Sequence, residues 1–369
     1  MMTISRRQFA QLSVMAGAGA MLNASFSFAS SKAATSELWI DACGSVLGGD
    51  PLSPEMLRQI KESKLSCVFQ TVGAVGNPSE SETLLSIVQD IANLQTEVDQ
   101  HPDNFRFIRR IEDIQQAKQE QRIGIGLALQ DGVAFQNDLE VLDILKGLGL
   151  RIIQPTYNIR NKLGDGCMVP ENLGLSAQGF KSVEKLNELN ILLDLSHCGV
   201  NTTRDGIAHS KKPMAFTHTG CSAIYNHPRN KTDQHIRALA DKGGVIGIYI
   251  MPYLGPNGQP TAMDLITHLE HAINIAGEDH VGLGTDGRVL PTELTDEYKK
   301  WFAEMTAERI KSGIGPKNEN PTAYLFANEL NMPNRFGALA DMLSKRGHSA
   351  TRIEKILGGN FARLFDEVW

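Results

Sequence analysis

The sequence is short of cysteine, of positive charge and of long apolar runs. Five cysteines in 369 residues, an odd number with no Cys-x-x-Cys spacing, exclude a fully paired disulfide framework and leave at least one thiol free or metal-bound. Cys67, inside an apolar run, reads as a buried free thiol. Lys and Arg number 36 against 42 Asp and Glu, a formal net charge of −6, which excludes a basic nucleic-acid surface. The Lys/Arg pairs at 211–212 and 299–300 read as solvated helix ends or loops. Past the first thirty or so residues no run approaches the length of a membrane span. No Gly-x-Gly-x-x-Gly follows a strand-like run and no Gly-x4-Gly-Lys-Ser/Thr occurs, so nucleotide binding lacks its usual support. What is present is 41% apolar and 21% charged residues, enough for a large buried core and too balanced for a disordered polymer.

Residues 1–34 read as a targeting segment. Arg6-Arg7 sits within Ser5-Arg6-Arg7-Gln8-Phe9, a weakly apolar Ala/Gly-rich stretch follows, and Ser27-Phe28-Ala29 offers small residues for cleavage. The pattern resembles a bacterial twin-arginine (Tat) signal, which implies the Tat export machinery as a partner and a periplasmic destination; an ordinary secretory signal with a chance Arg pair is the alternative. Gly17, Gly19 and Asn23 interrupt the stretch, so a stable membrane anchor is not expected.

From residue 35 to 369 short apolar runs alternate with amphipathic stretches. The runs are 38–43, 67–72, 123–129, 151–155, 191–196, 214–217, 244–250 and 281–284, with 105–109 as an extra strand or the approach to a helix. Most are continuously apolar, as parallel strands buried on both faces must be. Apolar spacing near 3.6 predicts helices over 54–63, 80–98, 138–148, 176–188, 201–209, 233–242 and 263–276, with Ser53 and Thr232 as N-terminal signals. Eight such strands alternating with helices predict an α/β fold, a single-domain (β/α)8 TIM-type barrel with closing helices over 335–369. The polar segment 290–326, with Trp301, Phe302 and Met305 on one stripe, breaks the rhythm. It is read either as a lid or insertion over the barrel mouth or as an ordinary barrel helix with a long loop.

Barrel enzymes carry their chemistry at the C-terminal ends of strands. Here those positions hold Asp41 and Cys43, Gln130 and Asp131, Thr156 and Tyr157, His197, His218, and Asp286. A lone histidine is more often a core or surface residue with satisfied hydrogen bonds. Two histidines at matching ends of adjacent strands, with carboxylates nearby, point instead to a divalent metal such as Zn2+.

The stretches Asp194-Leu-Ser-His197, Thr217-His218-Thr, His227-Pro-Arg229-Asn230, Gly243-Gly-Val-Ile-Gly247, Asp279-His-Val-Gly-Leu-Gly-Thr-Asp286 and Gly358-Gly-Asn360-Phe-Ala-Arg363 together resemble the renal, or membrane, dipeptidase family of amidohydrolase-like metal barrels. Each is weak alone; their joint order is specific. The resemblance implies a two-zinc site in which His197 and His218 hold one ion, Asp131 takes the place of a bridging Glu, Asp286 lies near the water nucleophile, and Arg229 binds the free carboxylate of a peptide-like substrate, for which its planar fork is suited. It also implies a homodimer as a common assembly.

The sequence departs from the family after two strands. Where the family has Asp-x-His-x-Asp, this chain has Asp41-Ala42-Cys43-Gly44-Ser45; Cys43 can bind as a thiolate, whereas Ser45 is a poor ligand. Tyr157 replaces the His that steadies the developing oxyanion, and a phenol can still donate there. The expectation is therefore one Zn2+, two at most, held by His197, His218 and Asp131 with Cys43 as a further ligand, Asp286 as general base, Tyr157 as oxyanion donor and substrate contact, and Arg229 as carboxylate binder. Three functions stay open: a metallo-dipeptidase, a different metal-assisted tailoring hydrolase on the same barrel, and a non-catalytic periplasmic small-molecule binding protein.

Overall fold

The computed structural model describes residues 37–369 except 49–50, 77, 257 and 317–318. The expected Tat segment, 1–34, lies outside the described residues. In chain order the strands are β1 (Ile40–Asp41), β2 (Gly44–Ser45), β3 (Cys67–Thr71), β4 (Phe105–Phe107), β5 (Ile123–Leu129), β6 (Leu150–Ile153), β7 (Leu192–Leu193), β8 (Ala215–Thr219), β9 (Val245–Ile248), β10 (Val281–Leu283) and β11 (Gly287–Arg288). The helices are α1 (Pro54–Glu62), α2 (Glu80–Gln100), α3 (Ile111–Gln119), α4 (Val141–Leu148), α5 (Ala177–Glu188), α6 (Val200–His209), α7 (Asp233–Asp241), α8 (Ala262–Ala276), α9 (Asp296–Lys311), α10 (Arg335–Lys345), α11 (Ala350–Glu354) and α12 (Asn360–Val368). No described helix is long and apolar enough to cross a membrane.

Among the described residues every strand pairing is parallel. One curled sheet runs β1-β3-β5-β6-β7, with β4 beside the start of β5, and a second runs β8-β9-β10. A bridge between Asp194 and Ala215 joins the two sheets at one side, and the Ala42 N–H donates to the Leu283 carbonyl (3.0 Å) at the other. The expected extra run is the short strand β4, and it leads into α3, a helix that the sequence analysis did not set apart.

Local signals start the helices. The Ser53 hydroxyl accepts from Met56 N, with Pro54 in the first turn, and Thr232 caps α7 by accepting from His235 N. In β5 all seven residues are buried, which is why its pattern is continuous rather than alternating. Alternate strand residues Ile40, Cys67, Phe69, Ile152, Leu192, Ala215 and Val245 form one core cluster, plugged by Phe361 and Phe365 of α12. The Phe69 and Phe365 rings lie 4.9 Å apart. At the opposite, C-terminal ends of the strands two glycines allow close approach. A Cβ on Gly247 or Gly284 would stand 2.1 or 2.0 Å from the Thr217 carbonyl oxygen. All five cysteines are free.

Candidate metal-binding active site

The site grows from two strand-end aspartates. Asp194, just after β7, is buried and accepts four hydrogen bonds: the N–H groups of Ser196 and Thr217 (both 3.0 Å) and their two hydroxyls (both 2.5 Å). Burial raises its pKa, and these bonds oppose the shift by favouring the carboxylate. Because the Thr217 hydroxyl proton goes to Asp194, Thr217 Oγ1 accepts the Nδ1–H of His218 (2.8 Å). That leaves the lone pair of His218 on Nε2.

His197 is fixed in the same tautomer by a different partner. The Asn158 amide donates to the Ile314 carbonyl (2.7 Å), so its Oδ1 accepts the Nδ1–H of His197 (2.6 Å). The His197 ring also stacks on Tyr157 at 4.2 Å. The two Nε2 atoms, neither carrying a proton, face one another at 2.9 Å. Burial, followed by the charge of Arg229, holds both imidazoles well below their usual pKa and therefore neutral.

Asp286 and Cys43 complete the group. One ligand atom each from Cys43, His218 and Asp286 lie within 4.8 Å of one another. Asp286 has a left-handed backbone (φ 55°) and its N–H donates to the Cys43 carbonyl (2.7 Å), which turns the carboxylate toward the site. Loss of solvation pushes its pKa up to about 6, opposed by Arg229 and Arg309. The Cys43 thiol donates to Asp286 (3.7 Å) and accepts from Gln130 Nε2 (3.4 Å); burial and the nearby Asp286 raise its pKa well above the ordinary thiol value.

Two converging imidazole lone pairs, neutral and out of water, with a carboxylate and a sulfur alongside, are a donor set suited to one divalent ion such as Zn2+. Tetrahedral Zn–N bonds of about 2.0–2.1 Å put two nitrogens about 3.3 Å apart, so the observed spacing needs only slight widening. Ser45 lines a neighbouring cleft and supplies no charge, so the residues present fit one ion better than two.

Asp131 is not brought into this group. Its carboxylate accepts from Asn161 Nδ2 (2.9 Å) and from the backbone N–H groups of Gly76, Val133 and Tyr157, and burial pushes its pKa up to about 6. Gln130, one residue earlier, stands beside Cys43 instead. Successive residues at a strand end face opposite ways, so a one-residue difference decides which side chain meets the site.

Arg229 is buried at 2% exposure. Its guanidinium donates to the carbonyls of Ser196 and His218 and, through Nη2, to His197 Nε2 at 3.1 Å. A cavity of about 440 Å³ lies before it, lined by Tyr157, His197, Arg229 and Asp286 from the strand ends and by Phe302, Met305, Arg309 and Glu319 from α9 and the loop after it. Arg309 pairs with Glu319 (3.0 Å) and donates to the Tyr157 hydroxyl (3.3 Å), while Tyr253 donates its hydroxyl to Glu319. A second cleft of about 880 Å³, lined by Cys43, Ser45, Gln130, Arg288 and Trp301, meets the first at Asp286.

Sequence reasoning missed Arg309 and Glu319, which sit in a polar helix and a turn-rich loop where no local pattern marks a single Arg or Glu as facing a site. Asn158, which follows Tyr157, carries no pattern in the sequence that shows its role on His197. Asp194 stood in a quoted stretch, and the Asp-x-Ser-His spacing was the available signal for it.

The model of the family described as membrane dipeptidase, peptidase family M19, matches residues 37–317. The chain is 28% identical over 240 residues to dipeptidase verJ of Clonostachys rogersoniana, covering 64% of this chain and 62% of that protein, so it spans less than two thirds of that relative. It is 29% identical over 221 residues to an uncharacterised protein in the pqqA 5' region of Klebsiella pneumoniae, covering 56% of this chain and 82% of that one. Among solved structures it is similar to an amidohydrolase from Pseudomonas aeruginosa, with 28% identity, a TM-score of 0.77 and coverage of 90% of this chain and 96% of that one. It shares the fold, at 18% identity and a TM-score of 0.73, of a Rhodobacter sphaeroides metallopeptidase liganded with a phosphinate mimic of L-Ala-D-Ala; the match covers 90% of this chain and 99% of that one. With residues 37–317, the greater part of its length, matched by that model, the chain belongs to the membrane dipeptidase family of metallopeptidases.

Proposed function

We propose that the protein is a metal-dependent hydrolase that cleaves a dipeptide or small peptide-like substrate bearing a free carboxylate. The observation that carries this reading is the pair of neutral Nε2 atoms of His197 and His218, 2.9 Å apart beside Asp286 at the base of a cavity. His197, His218 and Asp286, with Cys43 alongside, would hold one Zn2+. When bound, such an ion lowers the pKa of water and polarises a carbonyl. The rest falls to the chain's own side chains. Asp286, a carboxylate at neutral pH, accepts the proton of the attacking water and passes it to the leaving amine. Tyr157 offers its O–H to the developing oxyanion, since its oxygen already accepts from Arg309. Arg229 supplies a fork for the substrate carboxylate. Phe302, Met305 and Arg309 of α9 roof the cavity and keep bulk water from it. The two sheets, bridged at Asp194–Ala215 and at Ala42–Leu283, are read as one closed eight-stranded barrel. Export by the twin-arginine route to the periplasm completes the proposal and rests on Arg6-Arg7 and the stretch after it.

The 880 Å³ cleft on the far side of Asp286 favours a second reading, a metal-assisted amide hydrolase for substrates larger than a dipeptide. Metal content of the purified protein, measured with hydrolysis of a panel of L,L and L,D dipeptides, separates the two. One equivalent of metal with dipeptide turnover supports the first, and one equivalent without turnover moves the assignment to the second. Full activity in the double variant His197→Ala, His218→Ala would sink both.

A further inference from the structure

Arg229 occupies the electron pair that a metal needs. His197 Nδ1 is committed to Asn158, so the ring has a single lone pair, on Nε2, and Arg229 Nη2 donates to it at 3.1 Å. One lone pair accepts a hydrogen bond or binds an ion, not both. An ion at His197 would also face the guanidinium charge at short range in a site that water screens poorly. None of the three partners of this guanidinium is a carboxylate: they are the Ser196 carbonyl, the His218 carbonyl and the His197 ring. Among the described residues Asp286 acts on it through space without a hydrogen bond, so the fork itself has no carboxylate partner and its charge is incompletely compensated. The 440 Å³ cavity that Arg229 lines is where a carboxylate partner can reach it.

We infer that Arg229 is a latch between two states of the site. Without metal it caps His197; when an ion takes Nε2, the guanidinium is released toward the cavity and becomes the receptor for a carboxylate. Metal and carboxylate then favour each other's binding, and by linkage the coupling is reciprocal. The latch deepens the proposed function and rests on the reading that His197 and His218 hold a metal.

The test is a chelator-competition titration of the full metal-stripped protein with Zn2+, in sodium acetate and in sodium chloride of equal ionic strength, with free Zn2+ calibrated in each buffer. The wild type is expected to bind Zn2+ several-fold more tightly in acetate. Arg229→Gln, which removes the charge and the donor to His197 Nε2, is expected to bind at least about tenfold more tightly in chloride and to lose the acetate dependence. Arg229→Lys, a cation without the fork, is expected to fall between them. If Arg229→Gln does not fold, the acetate dependence of the wild type decides alone. Equal affinity in both buffers for the wild type overturns the latch, as does unchanged acetate dependence in a folded Arg229→Gln. Zn2+ binding that is no better in the wild type than in His197→Ala, His218→Ala instead overturns the metal reading itself, a different outcome.

Discussion

Thr217 and Thr285 hold equivalent places in the fold. Each gives its N–H and its hydroxyl to the aspartate that ends the neighbouring strand: Thr217 to Asp194 at 3.0 and 2.5 Å, Thr285 to Asp41 at 2.8 and 2.6 Å. Each is followed at once by a site residue, His218 or Asp286. A buried aspartate and a threonine thus fix the backbone from which each functional side chain departs, as outer hydrogen bonds fix metal ligands generally.

The first prediction concerns this device. Thr217→Val keeps the shape but removes the oxygen that accepts from His218 Nδ1. The His218 ring is then free to carry its proton on Nε2, and Zn2+ affinity is expected to fall about 10–100-fold. Chelator competition reads the affinity, and a thermal melt separates it from the roughly 1–3 kcal/mol lost with the bond to Asp194. Unchanged affinity would refute the orienting role.

Asp131 provides the second. Its pKa in the folded chain is raised from 3.8 to about 6 by burial, so the folded state holds the proton more tightly than the unfolded state does. The stability this contributes is fully present below about pH 4 and is lost as pH rises through about 6. The stability difference between the wild type and Asp131→Asn is expected to fall across that window by up to about 3 kcal/mol and to be flat above it. Metal content of Asp131→Asn is expected to match the wild type, because Gln130 and not Asp131 stands beside Cys43. Loss of metal in that variant would restore Asp131 as a ligand.

A third prediction tests the roof. Arg309→Met removes the donor to Tyr157 and the partner of Glu319 while keeping much of the side-chain volume. On a dipeptide substrate kcat/KM is expected to fall about tenfold or more, with Zn2+ affinity little changed, since Arg309 touches neither histidine. Equal losses of metal and activity would mean that the helix only supports the fold.

The fourth concerns packing. In Gly284→Ala the new Cβ would stand 2.0 Å from the Thr217 carbonyl oxygen and 3.2 Å from Cys43 N, both backbone atoms that cannot swing aside. Destabilisation of several kcal/mol is expected in urea or thermal unfolding, against about 1–2 kcal/mol for an exposed glycine such as Gly347 replaced likewise, whose positive φ alone is strained.

The sequence by itself determined the alternation of apolar runs and amphipathic stretches. Parallel strands buried on both faces need continuous apolar runs, and helix starts need caps such as Ser53 and Thr232. It also placed His197, His218 and Asp286 at strand ends, because a strand end is visible where an apolar run stops. The tertiary structure alone decided which of Gln130 and Asp131 meets the site, a matter of one residue of register that both spellings of the strand end satisfy equally. It decided that Arg309 and Glu319, more than 150 residues and about 160 residues beyond Tyr157 in the chain, come back over the cavity. It also set the protons on the two histidines, because those depend on Asn158 and on the Asp194–Thr217 pair. And it put Arg229 against His197 Nε2. Local patterning is written in neighbouring residues and can be read one segment at a time. Side-chain facing, tautomer and charge contact are settled only when distant segments share a buried, poorly screened space.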